Sequence, residues 1–344
     1  MRVLHRDFKA GEVKLRFENP DDLWHLHNLV LAGDFVRATT TRREESKADK
    51  IRPDRMEKVR VTLTIRVEKV EFQAFSDRLR LSGVIVEGAM DHGQHHTLNL
   101  AVGDVLTIIK EWRPHELRRI EDAVAATQKP IVAFLSLDDE EALLAQLRQY
   151  GVKELATIRA PGHGKMFPSG DAKTSYFEEI LAKLRMSDLG ESLVLIGPGF
   201  AREDFHAFLG SREPSLAART HVSGSSHAGM RGIQEALRSG VGAKVFEDSR
   251  VALETRLVEQ VLERIATAGP VAYGPAEVAE AVTAGAVETL LVSDAAVRDP
   301  GVEALLRDAE AARGSVVLVS RHHEAGQKLE SLGGIAALLR FPIR

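Results

Sequence analysis

Residues 19–60 read NPDDLWHLHNLVLAGDFVRATTTRREESKADKIRPDRMEKVR, and this stretch begins with a clearly marked helix. Asn19 is a favoured N-cap residue, and Pro20 suits the first helical position. Leucine then recurs every third residue from Leu23 to Leu29, so one face of the helix is apolar. The sequence therefore predicts a helix from Pro20 to about Leu31 that braces a neighbouring sheet.

The second half of the stretch is a loop crowded with opposite charges. It follows a short strand-like run from Phe35 to Thr39. Between Arg42 and Arg60 there are eight basic and five acidic residues, a difference of three positive charges. From charge alone two interpretations stay open: the loop binds something anionic, or it is a solvated turn between strands.

The composition of the chain is that of a soluble protein with several domains. At 344 residues it is long enough for two or three domains. Its net charge of −4 argues against a protein that coats nucleic acid by bulk charge. It contains no cysteine, which excludes disulfides and thiolate zinc sites. Neither a signal peptide nor a membrane-spanning stretch is recognisable, so we expect a cytoplasmic protein without a membrane partner.

The pattern of apolar residues divides the chain into three regions. In the first region, residues 1–125, the part up to residue 112 reads mostly as short strands, which favours a small barrel, and the charged run HELRRIED at 115–122 reads as a linker. Residues 126–254 alternate strand and helix, with a helix predicted over DDEEALLAQLRQY at 138–150. Residues 255–344 repeat this alternation as an α/β/α domain.

Two glycine-containing stretches lie in the middle region. PGHGKM at 161–166 lacks the spacing and the hydroxyl residue of a phosphate-binding loop. Its surroundings either form a plain surface connection or present basic residues to a partner. GPGF at 197–200 predicts a tight strand-to-helix turn with Phe200 packed beneath it, whereas an exposed Phe200 would indicate a partner contact.

The histidines and acidic residues form no obvious catalytic or metal-binding set. His92, His95 and His96 lack further ligands, and a surface turn with a strand start explains them better than a zinc site. The pair His322 and His323, at a strand-to-helix junction, invites the same interpretation. The acids of the first region have an ordinary density, although they could converge around a metal ion. These acids are Asp7, Glu12, Glu18, Asp21 and Asp22. We assign no catalytic and no metal-ligating residue.

Four segments, in order along the chain, resemble the Pelota family of archaea and eukaryotes. They are ENPDDLWHLHNLVLAGDFVRATTTRR at 18–43, HHTLNL at 95–100 followed by KEW, GPGF at 197–200, and GPVAYGPAEVAEAVTAGAVETLLVSD at 269–294. The last segment is also similar to class-one peptide release factors. The absence of cysteine favours an archaeal member of the family.

The resemblance implies a multidomain α/β fold. It implies an Sm-like β-barrel at 1–125, a release-factor-like α/β domain at 126–254, and at 255–344 an α/β/α domain like the kink-turn-binding ribosomal proteins. A free-standing RNA-binding role for the third domain is a weaker alternative, because residues 255–344 carry 9 basic and 12 acidic residues.

The resemblance also implies a role in messenger RNA surveillance, known as no-go decay. A Pelota protein acts on ribosomes stalled on messenger RNA and promotes release of the subunits. It enters the empty decoding site with a GTP-bound GTPase of the elongation factor 1-alpha type, and an ABC-type recycling ATPase helps to split the ribosome. We expect a monomer that needs no cofactor for this role. The peptide-releasing Gly-Gly-Gln of release factors is absent, since Gly333 and Gly334 are followed by Ile335, so we expect no peptide hydrolysis.

Two groups of residues take roles from the resemblance. The expected ribosomal-RNA-binding residues are Arg42, Arg43, Lys47, Lys50, Arg52 and Arg55. The expected GTPase contacts are Arg159, His163, Lys165, Lys173, Pro198, Gly199 and Phe200. A rival hypothesis is an endoribonuclease in the N-terminal domain, which would need a divalent metal cation and would cut the stalled message.

Overall fold

The computed structural model describes residues 1–43, 58–73, 76–88, 92–127, 131–161, 169–239 and 249–343. The chain separates into two compact units, Met1–Lys129 and Pro130–Arg344. The first unit contains one sheet and the second contains two. In these described ranges no helix has the length and apolar character needed to cross a membrane.

The first unit is built on one antiparallel sheet of seven strands. These are β1 (Arg2–Asp7), β2 (Glu12–Arg16), β3 (Phe35–Arg43), β4 (Lys58–Gln73), β5 (Arg78–Gly88), β6 (His95–Leu100) and β7 (Val105–Ile109). Their order across the sheet is β1-β2-β7-β3-β4-β5-β6. Thr40 on β3 and His96 on β6 are not on neighbouring strands, yet Oγ1 and Nε2 of the two lie 3.4 Å apart. The sheet therefore curls, as the predicted small barrel requires.

Helix α1 (Pro20–Leu29) covers the core of this sheet, as predicted. Its N-terminus has a capping box: the Asn19 side chain accepts from the Asp22 amide, and the Asp22 carboxylate accepts from the Asn19 amide. Leu23, Leu26 and Leu29 are fully buried. The helix ends at Leu29, two residues before the predicted end, because Val30 takes an extended conformation.

The prediction of a linker at 115–122 is wrong, because this run belongs to helix α2 (Pro114–Ala126). Pro114 opens the helix, and Glu116 caps it by accepting from the Arg113 amide. Charged residues of the run are buried in pairs: Glu116 lies 2.5 Å from Lys110 Nζ, and the Arg119 guanidinium lies 4.6 Å from the Trp24 ring centroid. A run that looks solvated in the sequence is thus a packed element.

The second sheet, at the start of the second unit, is mixed and has helices on both faces. Its strands are β8 (Val132–Leu137), β9 (Glu141–Arg148), β10 (Gly151–Arg159), β11 (Ser192–Gly197) and β12 (Thr220–Gly224), in the order β10-β9-β8-β11-β12. Its helices are α3 (Ser169–Met186), α4 (Ala201–Arg212), α5 (Pro214–Ala218) and α6 (Gly229–Ser239). Helices α3 and α4 pack on one face, and α6 packs on the other.

The helix predicted over 138–150 is a strand, β9. It pairs antiparallel with β8 and with β10, and the six residues between its ends are buried. Both faces of a central strand need apolar side chains, and the resulting run ALLAQL has the same leucine spacing as a buried helix. The sequence pattern therefore fits a helix and a strand equally well, and the segment forms a strand because it pairs with β8 and β10.

The third sheet forms the middle layer of an α/β/α sandwich, as predicted. Its strands are β13 (Val271–Tyr273), β14 (Val287–Ser293), β15 (Ser315–Val319) and β16 (Ile335–Leu339), in the order β13-β16-β14-β15. Its helices are α7 (Arg250–Ala266), α8 (Gly274–Thr283), α9 (Pro300–Ala311) and α10 (Glu324–Ser331). One apolar core lies between the sheet and α8 with α9, and a second lies between the sheet and α7 with α10.

Helix α7 links the second and third sheets within the second unit. Val251 in its first turn belongs to the core of the second sheet. Val258 and Val261 belong to the core of the third. The residue pair 254/255, where we predicted a domain boundary, lies inside this continuous helix. Both sheets therefore share one helix as a common packing surface.

Candidate functional site

The GPGF turn is a rigid connection between β11 and α4. Gly197 has a φ of 152°, and a Cβ atom there would lie 1.9 Å from the Leu137 carbonyl oxygen. Gly199 has a φ of 63°, in the left-handed region that favours glycine. Arg202 Nη1 donates to the carbonyl oxygens of Gly197, at 2.5 Å, and Gly199, at 2.7 Å. The turn is thus fixed by glycine conformation and by one arginine.

Phe200 projects from this fixed turn with 81% of its surface exposed. The prediction that it packs beneath the turn is wrong. Phe200 occupies the N-cap of α4, while Ala201 and Phe205 take the positions that face the core. An exposed aromatic ring on a rigid support is typical of a contact residue at a protein interface.

Lys173 lies at the same end of α4 as the turn. Its Nζ is 2.6 Å from the Asp204 carboxylate and 5.7 Å from the Phe177 ring centroid. The Asp204 amide in turn donates to the Phe200 carbonyl oxygen at 3.0 Å. Asp204 therefore connects the predicted contacts Lys173 and Phe200.

Arg159 also lies at this end of the second sheet. It is the last residue of β10, and β9 and β8 separate it from β11. At about 4.8 Å per strand, Arg159 is roughly 14 Å from the β11 terminus. Its side chain is 84% exposed, and its Nε lies 3.6 Å from the Glu141 carboxylate. His163 and Lys165, which we also predicted as GTPase contacts, lie outside the described residues.

The ion pairs of this surface are weak enough to be exchanged for a partner's groups. The side chains of Lys173 and Asp204 are about half exposed, and Arg159 is almost fully exposed. Exposed pairs of this kind stabilise a fold by only about 0–1 kcal/mol. A partner's phosphate or carboxylate groups can therefore replace Asp204 and Glu141 as the ion-pair partners of Lys173 and Arg159, with little loss of folding stability.

In the first unit, β3 and β4 form an antiparallel ribbon that leads to the predicted RNA-binding loop. The strands pair from Phe35 with Arg66 to Arg43 with Lys58. Arg42 and Arg43 lie on β3, but their side chains are outside the described part of the chain. The remaining predicted residues, Lys47, Lys50, Arg52 and Arg55, lie outside the described residues altogether. Their assignment stays a prediction.

The acidic residues of the first unit mostly have structural tasks. Asp22 is buried and lies 2.6 Å from the N-terminal amine, while burial raises the pKa of its carboxyl. Asp7 accepts from the amides of Lys9 and Ala10. Within the described ranges, no three His, Asp or Glu residues are grouped so that they could hold a metal ion. The endoribonuclease hypothesis, with its divalent metal, stays a prediction.

The histidines near β6 lie in a turn and at a strand start, as predicted. His92 contacts the Gly88 carbonyl oxygen at 3.0 Å. His95 is the first residue of β6, and its Nδ1 lies 3.3 Å from the Glu68 carboxylate.

A buried cluster around Glu254 escaped the sequence analysis. Its carboxylate accepts from Arg250 Nε at 2.7 Å, from the Ser320 amide at 2.9 Å and from His323 Nε2 at 2.7 Å. The prediction that His323 lies in a surface turn is wrong, because only 8% of it is exposed. Only the pairing of Arg250 with Glu254, four residues apart on one helix, is visible in the sequence.

The Glu254 cluster joins parts of the second and third sheets. Ser320 Oγ donates to the Tyr150 carbonyl oxygen in the β9–β10 turn at 2.8 Å. Burial by itself raises the pKa of the Glu254 carboxyl. The charges of Arg250 and His323 and the Ser320 amide outweigh burial and hold the pKa below the ordinary value. The carboxylate is therefore ionised in the folded protein near neutral pH.

The two ends of the chain match the models of known protein families. Residues 1–124 match the family model of the Pelota N-terminal domain, and residues 251–343 match that of eRF1 domain 3. A pelota homolog of Methanothrix thermoacetophila is 45% identical over 100% of this chain and 99% of its own. The chain belongs to the Pelota family.

Solved structures of Pelota proteins share this fold. The Thermoplasma acidophilum Pelota protein superposes with a TM-score of 0.80 and 26% identity, and the match covers 100% of both chains. Dom34 of S. cerevisiae, described as a translation termination-like factor that interacts with Hbs1, has a TM-score of 0.55 at 18% identity. That match covers 100% of this chain and 99% of Dom34, and it shows a common fold.

The single Gly-Gly of the sequence has a structural role. Gly333 and Gly334 have φ angles of 97° and 77° and connect α10 to β16. The Gly334 amide donates to the Leu329 carbonyl oxygen at 2.9 Å, which closes the C-terminus of α10. The pair thus ends a helix inside the third domain.

Proposed function

We propose that this protein recognises ribosomes stalled on messenger RNA and promotes release of their subunits without hydrolysing the peptide. It enters the empty decoding site together with a GTP-bound GTPase of the elongation factor 1-alpha type. An ABC-type recycling ATPase then helps to split the ribosome. Membership of the Pelota family over the whole length of the chain carries this proposal.

The β3–β4 ribbon supports a role at the decoding site. Its strand ends carry four basic residues, Arg42, Arg43, Lys58 and Arg60, and with them the stretch from Arg42 to Arg60 has three more basic than acidic residues. Ribosomal RNA presents a dense array of phosphates, and lysine and arginine bind phosphates without reading the base sequence. A rescue factor must act on any stalled message, so contacts of this kind suit it.

The exposed end of the second sheet supports a GTPase contact. Phe200 offers an aromatic anchor on a turn fixed by Gly197 and Arg202. Lys173 forms an ion pair with Asp204, whose amide donates to the Phe200 carbonyl oxygen. Arg159 lies at the same end of the sheet. Interfaces gain most of their binding energy from a few such anchors, while surrounding charges set orientation and association rate.

The absence of Gly-Gly-Gln supports rescue without peptide release. Hydrolysis of peptidyl-tRNA needs a loop that positions water at the ester bond. The only Gly-Gly of this sequence is followed by Ile335 and lies between α10 and β16. Subunit release therefore leaves the peptide attached to its tRNA.

Ribosome binding by a loop variant tests the proposal. The variant replaces Lys47, Lys50, Arg52 and Arg55 by alanine. We expect weaker binding to ribosomes with an empty decoding site, and a salt dependence of the binding constant that is less steep than for the unaltered protein. The matched control replaces four exposed basic residues outside the ribbon, namely Lys183, Arg185, Arg219 and Arg256, and should bind normally. Equal affinity of loop variant and unaltered protein across the salt series would contradict the proposal.

A further inference from the structure

The loop between β12 and α6, residues 225–228, lies beside the GPGF turn. Strands β11 and β12 run parallel, and their last residues are paired with each other. The Ser225 amide donates to the Gly197 carbonyl oxygen at 3.3 Å, and this is the same oxygen that Arg202 Nη1 contacts. The β12–α6 loop and the turn that carries Phe200 are therefore joined through one carbonyl group.

The carboxylate of Glu235 on α6 fixes the conformation of the β12–α6 loop. It accepts from the Ser226 amide at 2.9 and 3.0 Å, and it lies 3.1 Å from His227 Nδ1. Within the loop, Ser225 Oγ donates to the His227 carbonyl oxygen at 2.7 Å. The Ser226 amide and the His227 ring lower the pKa of the Glu235 carboxyl to about 2. Glu235 is therefore ionised near neutral pH and holds the loop by charge-assisted hydrogen bonds.

The ionised carboxylate of Glu235 also sets the orientation of the His227 ring. A carboxylate can only accept hydrogen bonds, so Nδ1 of the ring must carry the proton and donate it. In the neutral imidazole the other nitrogen, Nε2, is then an acceptor. The His227 side chain is 58% exposed. It therefore presents an oriented acceptor at the surface, and the negative charge behind it favours a cationic donor such as arginine or lysine.

The β12–α6 loop extends the exposed end of the second sheet on the side away from Arg159. The strand order is β10-β9-β8-β11-β12, so Phe200, after β11, lies between Arg159 at the end of β10 and His227 after β12. Neighbouring strands are about 4.8 Å apart. An ordinary protein interface buries about 800 Å² on each partner, which is far wider than this spacing. A partner that covers Phe200 therefore reaches His227 as well.

We propose, resting on the GTPase contact proposed above, that His227 is a second anchor of that interface and that Glu235 is its positioning residue. The His227 ring accepts a hydrogen bond from a cationic side chain of the GTPase. Arg159, on the other side of Phe200, has the opposite polarity, because a guanidinium binds acceptors and anions. Contacts of opposite polarity on either side of an aromatic anchor fix the orientation in which the partner docks.

Calorimetric titration of the full-length protein with the GTP-bound GTPase tests this inference. His227→Ala should raise Kd about 5-fold, as expected for a contact residue beside a main anchor. His227→Lys should raise it further, because it places a cation against the partner's cationic group, whereas His227→Gln can still accept and should keep most of the affinity. The matched control is His221→Ala, at an exposed histidine near the start of β12, and it should leave Kd unchanged.

The positioning role of Glu235 is tested in the same titration. Glu235→Gln keeps the size of the side chain but removes its charge, and Kd should rise about 3-fold. Combined with His227→Ala, the same substitution should have no further effect, because no ring is left to position. A merely structural role of Glu235 would weaken binding equally with and without the ring. Thermal unfolding of each variant shows that the fold is unchanged.

Three results would overturn the inference. They are an unchanged Kd for His227→Ala, tighter binding by His227→Lys than by His227→Ala, and equal losses from Glu235→Gln with and without the ring. Phe200→Ala separates this inference from the proposed function. Weaker binding by Phe200→Ala together with an unchanged Kd for His227→Ala would leave the GTPase contact in place and remove His227 from it. Unchanged binding by both variants would remove the whole surface from the GTPase interface.

Discussion

Nε2 of His323 lies 2.7 Å from Oε2 of Glu254, and these residues are 69 positions apart in the chain. The Glu254 side chain is fully buried, and the His323 side chain is 6% exposed. Arg250, on the same helix as Glu254, also donates to the Leu318 carbonyl oxygen at 2.8 Å. The ion cluster therefore holds α7 against the loop between β15 and α10.

Replacement of Glu254 by alanine should destabilise the second unit strongly. The substitution removes the carboxylate that the Arg250 and His323 side chains, 13% and 6% exposed, both contact. Removing one partner of a buried ion pair costs about 3–5 kcal/mol. Urea denaturation of the variant gives the free energy of unfolding, and Glu259→Ala, on the same helix but 39% exposed, is the control with a loss below about 1 kcal/mol. A loss at position 254 no larger than at 259 would contradict this account.

The stability contributed by Glu254 should depend on pH in the acidic range. The pKa of this carboxyl is lowered in the folded protein, so its ionised form favours folding above the pKa of an unfolded glutamate, about 4.3. The contribution is lost as the pH falls from there through the folded-state pKa. The difference in unfolding free energy between the unaltered protein and Glu254→Gln should therefore shrink below about pH 4.3. Urea denaturation at a series of pH values checks this, and a difference that grows towards low pH would refute it.

Replacement of Phe200 by alanine should weaken GTPase binding while leaving the fold intact. The ring is 81% exposed, and substitutions at such positions change stability by no more than about 0.5 kcal/mol. An anchor of this kind contributes about 2 kcal/mol to binding, which is roughly 30-fold in Kd. Calorimetric titration with the GTP-bound partner measures it. Met186→Ala, at another residue that is 83% exposed, serves as the control, and equal Kd values for both variants would exclude Phe200 from the interface.

Alanine should be tolerated very differently at the two glycines of the GPGF turn. At Gly197 the new Cβ would lie 1.9 Å from the Leu137 carbonyl oxygen, so the backbone must move. At Gly199 no atom lies within 4 Å of the new Cβ, and only the positive φ of 63° opposes alanine. We expect a loss of about 1–2 kcal/mol at Gly199 and a larger loss at Gly197. Thermal unfolding of the two variants gives the comparison, and a smaller loss at Gly197 would contradict the described turn.

Sequence patterns predicted the elements that have one apolar face. Helix α1 was predicted from its cap and its leucine spacing, and the short strands of the first region were predicted from the pattern of apolar residues. The pattern failed at β9, where a strand buried on both faces has the leucine content of a helix. It failed again at α2, which was predicted as a linker. Glu116 is buried in an ion pair with Lys110, and Arg119 is buried over the Trp24 ring.

A candidate site could be predicted from the sequence when its residues are close together in the chain, and not when they are distant. The GPGF turn lies in four successive residues, and its glycines indicate a tight turn by themselves. Exposure of Phe200 depends on which neighbour fills the core, and the structure assigns that position to Ala201 and Phe205. The cluster of Glu254 and His323 needs a tertiary contact between distant positions, which no local pattern encodes.

Ribosomes stalled on a truncated message provide the most direct test of the proposed function. The full-length protein is added with the GTPase, GTP, the ABC-type ATPase and ATP, and subunit separation and peptidyl-tRNA are measured in the same sample. We predict that the subunits separate while the peptide stays attached to its tRNA. Intact ribosomes after this treatment, or free peptide released by the protein, would contradict rescue without peptide hydrolysis.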